Sequence, residues 1–210
     1  MKRSTLVLLK TLTWLACLYP LGWLVWAAAT SNLGADQTHT ITFCTGLATL
    51  RILTLSLAIT PLRRLWPRLN WLVKFRRLLG LFAFFYATLH LFTWVALYAG
   101  FDANSMAADF AKRRFITVGI LAWVLLLPLA ATSTNWAIRK LGGKRWSRLH
   151  KLVYVAAVCG IVHYWWQVKP GVLTPVTMTV ILGVLFLARP LLTWRQRSKA
   201  SASRPAAVIG

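Results

Sequence analysis

Six apolar runs, near residues 7–29, 41–60, 78–99, 115–131, 150–168 and 173–188, take up most of this chain. Crossing a hydrocarbon core of about 30 Å takes roughly 20 helical residues. A backbone placed there must satisfy its own N–H and C=O groups, and a helix does so within one segment. The runs therefore predict an all-α integral membrane protein, a bundle of about six transmembrane helices. Composition agrees: 58% of residues are hydrophobic and only 13% are charged, whereas soluble domains are about half apolar and a quarter charged. The stretch after Lys10 mimics a signal peptide, but it runs 19 residues to Ala29. That is longer than the roughly 7–15 residues of a signal core, and no small-residue cleavage site follows. It reads as the first span.

Orientation follows from the basic residues. Twenty of the 25 Lys and Arg fall before Leu12, in 62–77, in 139–151 and from Arg189 onward. Four, Lys112, Arg113, Arg114 and Lys169, fall on the opposite side, and Arg51 lies inside the second span. The positive-inside rule then puts both termini in the cytoplasm. Residues 1–190 are expected to form one membrane domain and 191–210 a flexible, basic cytoplasmic tail. Lys169-Pro170-Gly171 turns the chain outside, and Tyr164, Trp165 and Trp166 suit the interface. The net charge of +22 is thus a membrane signature, and nucleic acid is not an expected partner. Glu is absent and Asp occurs three times, which argues against carboxylate acid–base catalysis and a carboxylate proton relay. Cys17, Cys44 and Cys159 form no CxxC or CxxCH. A dithiol motif and covalent c-type haem are therefore not expected.

Ionisable groups inside a membrane are costly and usually functional. Of the four histidines, His39 lies in an outer loop and reads as solvated. His90, His150 and His163 lie in or at the ends of apolar spans. His90 is 13 residues beyond Arg77 and His163 is 13 beyond His150. Both spans run outward, so each imidazole stands about 20 Å above the cytoplasmic border. Two imidazoles at one depth on different helices can ligate one haem iron from both faces. His150 marks a second, cytoplasmic-side level, where its counterpart is Arg77 and not histidine. Arg77 is a candidate propionate or anion contact, or one more positive-inside charge. Thirteen helical residues turn about 140° away from one face, so His150 and His163 need not share a side. Arg51 is a candidate contact for a haem propionate or quinone headgroup, with snorkelling as the alternative.

Several segments look familiar in order: Ser31-Asn-Leu-Gly-Ala-Asp36, Ile59-Thr-Pro-Leu-Arg63, Arg76-Arg-Leu-Leu-Gly-Leu81, Thr88-Leu-His-Leu91, Thr132-Ser-Thr134, Leu141-Gly-Gly-Lys-Arg-Trp146, Leu149-His150 and Ile161-Val-His-Tyr164. Together they resemble the MsrQ (YedZ) family of the ferric reductase-like transmembrane group, over nearly the whole chain. The resemblance implies a haem b protein of the bacterial inner membrane, with His90, His150 and His163 as axial ligands and one or two haems. It also implies electrons drawn from the quinone pool, or from reduced flavin, and delivered to a periplasmic molybdopterin subunit of the MsrP type. That partner repairs methionine sulfoxide, so this chain is expected to be an electron-transfer subunit and not itself the catalyst. FMN is a further cofactor that the family implies, though no motif here locates it. Where related oxidases carry a histidine, this chain has Arg77, which leaves a second haem open. It also lacks their soluble flavin and nicotinamide domain, so another molecule, a cytosolic flavin reductase included, must supply electrons. Two rival readings stand beside this one. One is a ferric or oxygen reductase core of the same architecture; the other is a haem-free transporter or assembly subunit.

Overall fold

The computed structural model describes residues 2–168 and 173–202, with 196–202 as backbone only. The expected turn at Lys169-Pro170-Gly171 and the end of the tail beyond Ala202 lie outside the described residues. All regular structure described is helical: α1 (Arg3–Ala29), α2 (Gln37–Leu65), a 3-10 stretch (Pro67–Phe75), α3 (Arg76–Thr93), a π turn (Trp94–Tyr98), α4 (Ala103–Lys112), α5 (Arg114–Ala131), α6 (Asn135–Leu141), α7 (Gly143–Leu149), α8 (Leu152–Gln167) and α9 (Thr174–Ala202). Five stretches, 3–29, 37–65, 67–98, 114–131 and 174–195, are long and apolar enough to cross a membrane. The remaining expected span is α8, whose 16 residues rise only about 24 Å. The chain is a multi-pass membrane protein.

Its outer faces carry the hydrophobic surface that lipid would cover. Leu8, Leu12 and Leu15 of α1 and Val180, Val184 and Leu187 of α9 are all exposed. Small residues line the interior, with Ala83, Ala156 and Ala157 almost fully buried. In lipid, close backbone approach at small residues is a main source of helix association. It brings α2 against α3 and α5 against α8, the two most extensive pairings in the bundle.

Prolines do not end the helices where the sequence suggested. The second span was expected to stop at Pro61, yet α2 continues to Leu65. Proline has no N–H for the carbonyl four residues back, and here that carbonyl, Leu57 O, accepts from Arg189 Nη2 on α9 at 2.5 Å. At Pro20 the repair is a hydroxyl. Tyr86, fully buried, accepts from the Leu21 amide at 3.1 Å and donates to Cys17 O at 2.7 Å, bridging the turn that Pro20 disturbs. Two other boundaries also moved. The basic segment read as a loop up to Arg77 is 3-10 helix and then α3 from Arg76. His150, placed at the start of the fifth span, is the C-cap of α7 instead. Its rise and azimuth therefore cannot be counted along α8.

Candidate functional site

His90 on α3 and His163 on α8 face each other across the bundle, with ring centres 5.8 Å apart and planes at 82°. A metal bonded to two imidazole nitrogens at about 2 Å each sets the ring centres roughly 6 Å apart. The spacing therefore suits one iron between the two rings.

Hydrogen bonding fixes which nitrogen each ring offers. His90 Nδ1 lies 2.9 Å from Thr42 O of α2, and His163 Nδ1 lies 2.7 Å from Phe115 O of α5. A carbonyl only accepts, so each Nδ1 carries the proton and each Nε2 keeps its lone pair. A ligating histidine is usually oriented in this way, its second nitrogen donating to a carbonyl or carboxylate.

A matching glycine sits four residues after each of these carbonyls, on the same helical face. A Cβ on Gly46 would stand 2.9 Å from His90 Cε1, and one on Gly119 would stand 2.7 Å from His163 Nδ1. Each imidazole thus lies directly on the backbone of the neighbouring helix. Thr42 and Gly46 do for His90 what Phe115 and Gly119 do for His163. Glycine costs a helix about 1 kcal/mol against alanine, and here that cost is matched by room for a ring.

Around the pair, Leu50 and Leu53 of α2, Ala87 of α3, Leu126 of α5 and Ala156 of α8 make an apolar wall. The end bearing His39, Tyr98, Arg113 and Gln167 is open, since these lining residues are exposed. A π turn follows His90, a feature often found at functional sites. Its first residue, Trp94, donates from Nε1 to Asp109 Oδ2 at 3.2 Å. Asp109 also pairs with Arg113 at 3.2 Å, so α4 is tied across the open end. Hydrogen bonds from Ser105 and Asn104 hold the Asp102 carboxyl, at the start of α4, below the usual carboxylate range.

These residues fit a haem with two imidazole ligands: paired rings at a suitable centre-to-centre separation, glycine cradles that a Cβ would fill, and apolar walls for the macrocycle.

The remaining residues singled out by sequence lie elsewhere. His39 is exposed, as expected, but it lines the open end and stacks on Phe43 at 5.7 Å. Arg51 is exposed on α2 and is not among the residues lining the cavity. Arg77 is exposed and donates to Asn135 Oδ1 at 3.0 Å. Its neighbour Arg76 joins His150 in a second pocket at the basic end, with Arg63, Arg64, Lys151 and Arg189.

His150 is held differently from the paired histidines. Its ring stacks on Trp146 at 3.9 Å, and its Nε2 lies 3.1 Å from Thr132 Oγ1. That hydroxyl already donates to Pro128 O at 2.6 Å, so it accepts from His150 Nε2–H. The nitrogen left free is Nδ1, and no second histidine lines this pocket.

Sequence reasoning passed over Gly46, Gly119 and the Arg76-centred cluster. A lone glycine within an apolar helix was the available signal for the first two.

Comparison with known proteins gives a consistent picture. Residues 40–161 match the family described as ferric reductase like transmembrane component. A protein of Herminiimonas arsenicoxydans is 50% identical over 94% of this chain and 91% of its own length. One from Caulobacter vibrioides is 43% identical over 92% of this chain and 90% of its own. A third, from Xanthomonas oryzae pv. oryzae, is 42% identical over 97% and 93%. Each of the three is named protein-methionine-sulfoxide reductase heme-binding subunit MsrQ.

Proposed function

Since the chain belongs to the MsrQ family of ferric reductase-like transmembrane proteins, we propose that it carries electrons across a bacterial inner membrane to a periplasmic methionine sulfoxide reductase. The observation that carries this reading is the facing pair His90 and His163, each with Nδ1 committed to a backbone carbonyl. Both would hold a b haem through Nε2. A haem held by His90 and His163 would supply a one-electron carrier, and ligation by two imidazoles would favour transfer over oxygen activation.

The chain's own groups define the rest. Thr42 O and Phe115 O fix the imidazole orientation, and Gly46 and Gly119 admit the rings. Leu50, Leu53 and Leu126 exclude water. The open end at His39 and Arg113 faces the periplasm by the positive-inside rule. It lies beside α4, where a molybdopterin subunit of the MsrP type docks. At the opposite, cytoplasmic end, His150 and Arg76 serve the electron-entry side. There the quinone pool, or FMN reduced by a cytosolic flavin reductase, delivers electrons. A second haem at that level would have His150 as its only histidine ligand.

A direct test uses the purified haem-loaded protein, reduced and kept free of oxygen. Mixing it with an MsrP-type partner and methionine sulfoxide should reoxidise the haem. Leaving out either the partner or the sulfoxide should leave it reduced. Reoxidation by ferric citrate or oxygen alone, at the same rate, would instead favour a ferric or oxygen reductase core.

A further inference from the structure

The pocket at the basic end, which the proposed function places on the electron-entry side, is crowded with positive charge. Arg63 and Arg64 from α2, Arg76 from α3, Lys151 before α8 and Arg189 from α9 converge on it together with His150. Among the described residues, no carboxylate lines it. The three Asp side chains cannot help: Asp36 precedes α2, Asp102 caps the start of α4 and Asp109 lies within it, all at the other end of the bundle. Five cations gathered at the edge of a low-dielectric core repel one another unless an anion joins them.

Two of the cations are locked in place. Arg189 donates to Leu57 O and to the Tyr154 hydroxyl. Arg64 donates to Arg189 O at 3.1 Å and Thr193 Oγ1 at 2.7 Å. Donors are nevertheless left over: Thr60 Oγ1, Arg63 Nε and Arg189 Nε are buried without an acceptor. A rigid fork of guanidinium N–H groups with a nearby hydroxyl matches phosphate oxygens. The same helices carry exposed apolar side chains near that end, Leu65 on α2 and Leu187 and Leu191 on α9. These lipid-facing positions are available to acyl chains.

We propose that this pocket binds the phosphate of an anionic phospholipid headgroup. Basic pockets between helices at the cytoplasmic face are a recurring form of lipid recognition. A lipid with two phosphates matches five cations better than a zwitterionic one. The bound lipid neutralises the cluster and ties the ends of α2, α3 and α9 together.

The test uses the full-length haem-loaded protein in detergent, with native mass spectrometry and thermal unfolding as readouts. Cardiolipin, phosphatidylglycerol, phosphatidylcholine and inorganic phosphate are added separately. Cardiolipin should bind about tenfold or more tighter than phosphatidylcholine and raise the unfolding midpoint. Arg63→Gln should cost about tenfold in cardiolipin affinity, with Arg63→Lys in between. Arg68→Gln removes one charge from the same end outside the pocket and should change nothing. If Arg63→Gln does not fold, judged by an altered haem spectrum, Lys151→Gln, an exposed position, takes its place. Equal cardiolipin affinity in wild type and the pocket variant would overturn the proposal, as would an equal loss in Arg68→Gln. Inorganic phosphate stabilising as strongly as cardiolipin, through Arg63, would overturn the lipid assignment in favour of a soluble phosphate.

Discussion

The two pockets share α2, α3 and α8 and yet treat histidine in opposite ways. At the apolar one, two rings face each other, lie on glycines, and commit Nδ1 to backbone carbonyls, leaving Nε2 free. At the basic one, a single ring stacks on tryptophan, commits Nε2 to a threonine hydroxyl, and is surrounded by cations. The difference lies in what surrounds each intramembrane histidine. The carbonyl, the glycine and the facing imidazole suit the first pocket to a ligated metal. The charge around His150 suits the second to an anion.

Replacing the histidines one at a time should separate the pockets most sharply. Either His90→Ala or His163→Ala should abolish most bound haem. His150→Ala should retain the haem held by the other two. Haem-to-protein ratios of the three purified variants check this, and equal losses in all three would erase the distinction.

A smaller effect is expected at the cradles. Gly119→Ala would place a Cβ 2.7 Å from the His163 ring and Gly46→Ala one 2.9 Å from the His90 ring. Displacing an oriented ligand typically costs about 10–100-fold in affinity. Haem titration should show losses of that order, with Gly119→Ala the more severe. Gly143→Ala, at the basic end with open space around it, should bind haem normally.

The basic end has its own test in Arg189→Met. The change leaves Leu57 O, already without its helical donor because of Pro61, unsatisfied. An unmade buried hydrogen bond costs about 1–3 kcal/mol. The unfolding midpoint should fall while haem content per folded protein stays constant.

The smallest expected difference concerns acid. The Asp102 carboxyl is held low by Ser105 and Asn104, so its capping contribution is complete above the ordinary carboxylate range. It is lost as pH falls through the depressed value. Amide exchange in α4, at the open end of the apolar pocket, should speed up at that low pH. No described residue of the basic pocket carries a carboxylate, so α7 and the start of α8 should show no such change.

Much of this architecture was legible in the sequence, because apolar run length and flanking charge are sufficient to find spans in a bilayer. Counting brought His90 and His163 to one level, although only α3 is continuous from its border residue to the ring; α8 begins at Leu152, two residues after His150. Counting failed where a distant side chain repaired a break. Pro61 looked like a terminator because Arg189 lies 128 positions away in sequence. Pro20 and Tyr86 hide the same kind of partnership. One residue decided Arg77 against Arg76: a step of about 100° around α3 sends one guanidinium to Asn135 and the other to the His150 pocket. Gly46 and Gly119 were visible as letters, but their use depends on which helix packs opposite.

Electron paramagnetic resonance of the oxidised protein tests most directly whether one iron is bracketed by His90 and His163. A low-spin ferric signal of the strongly anisotropic kind that near-perpendicular imidazole planes produce is expected, lost equally in His90→Ala and His163→Ala. A high-spin signal in the wild type, or a low-spin signal unchanged in either variant, would contradict the account.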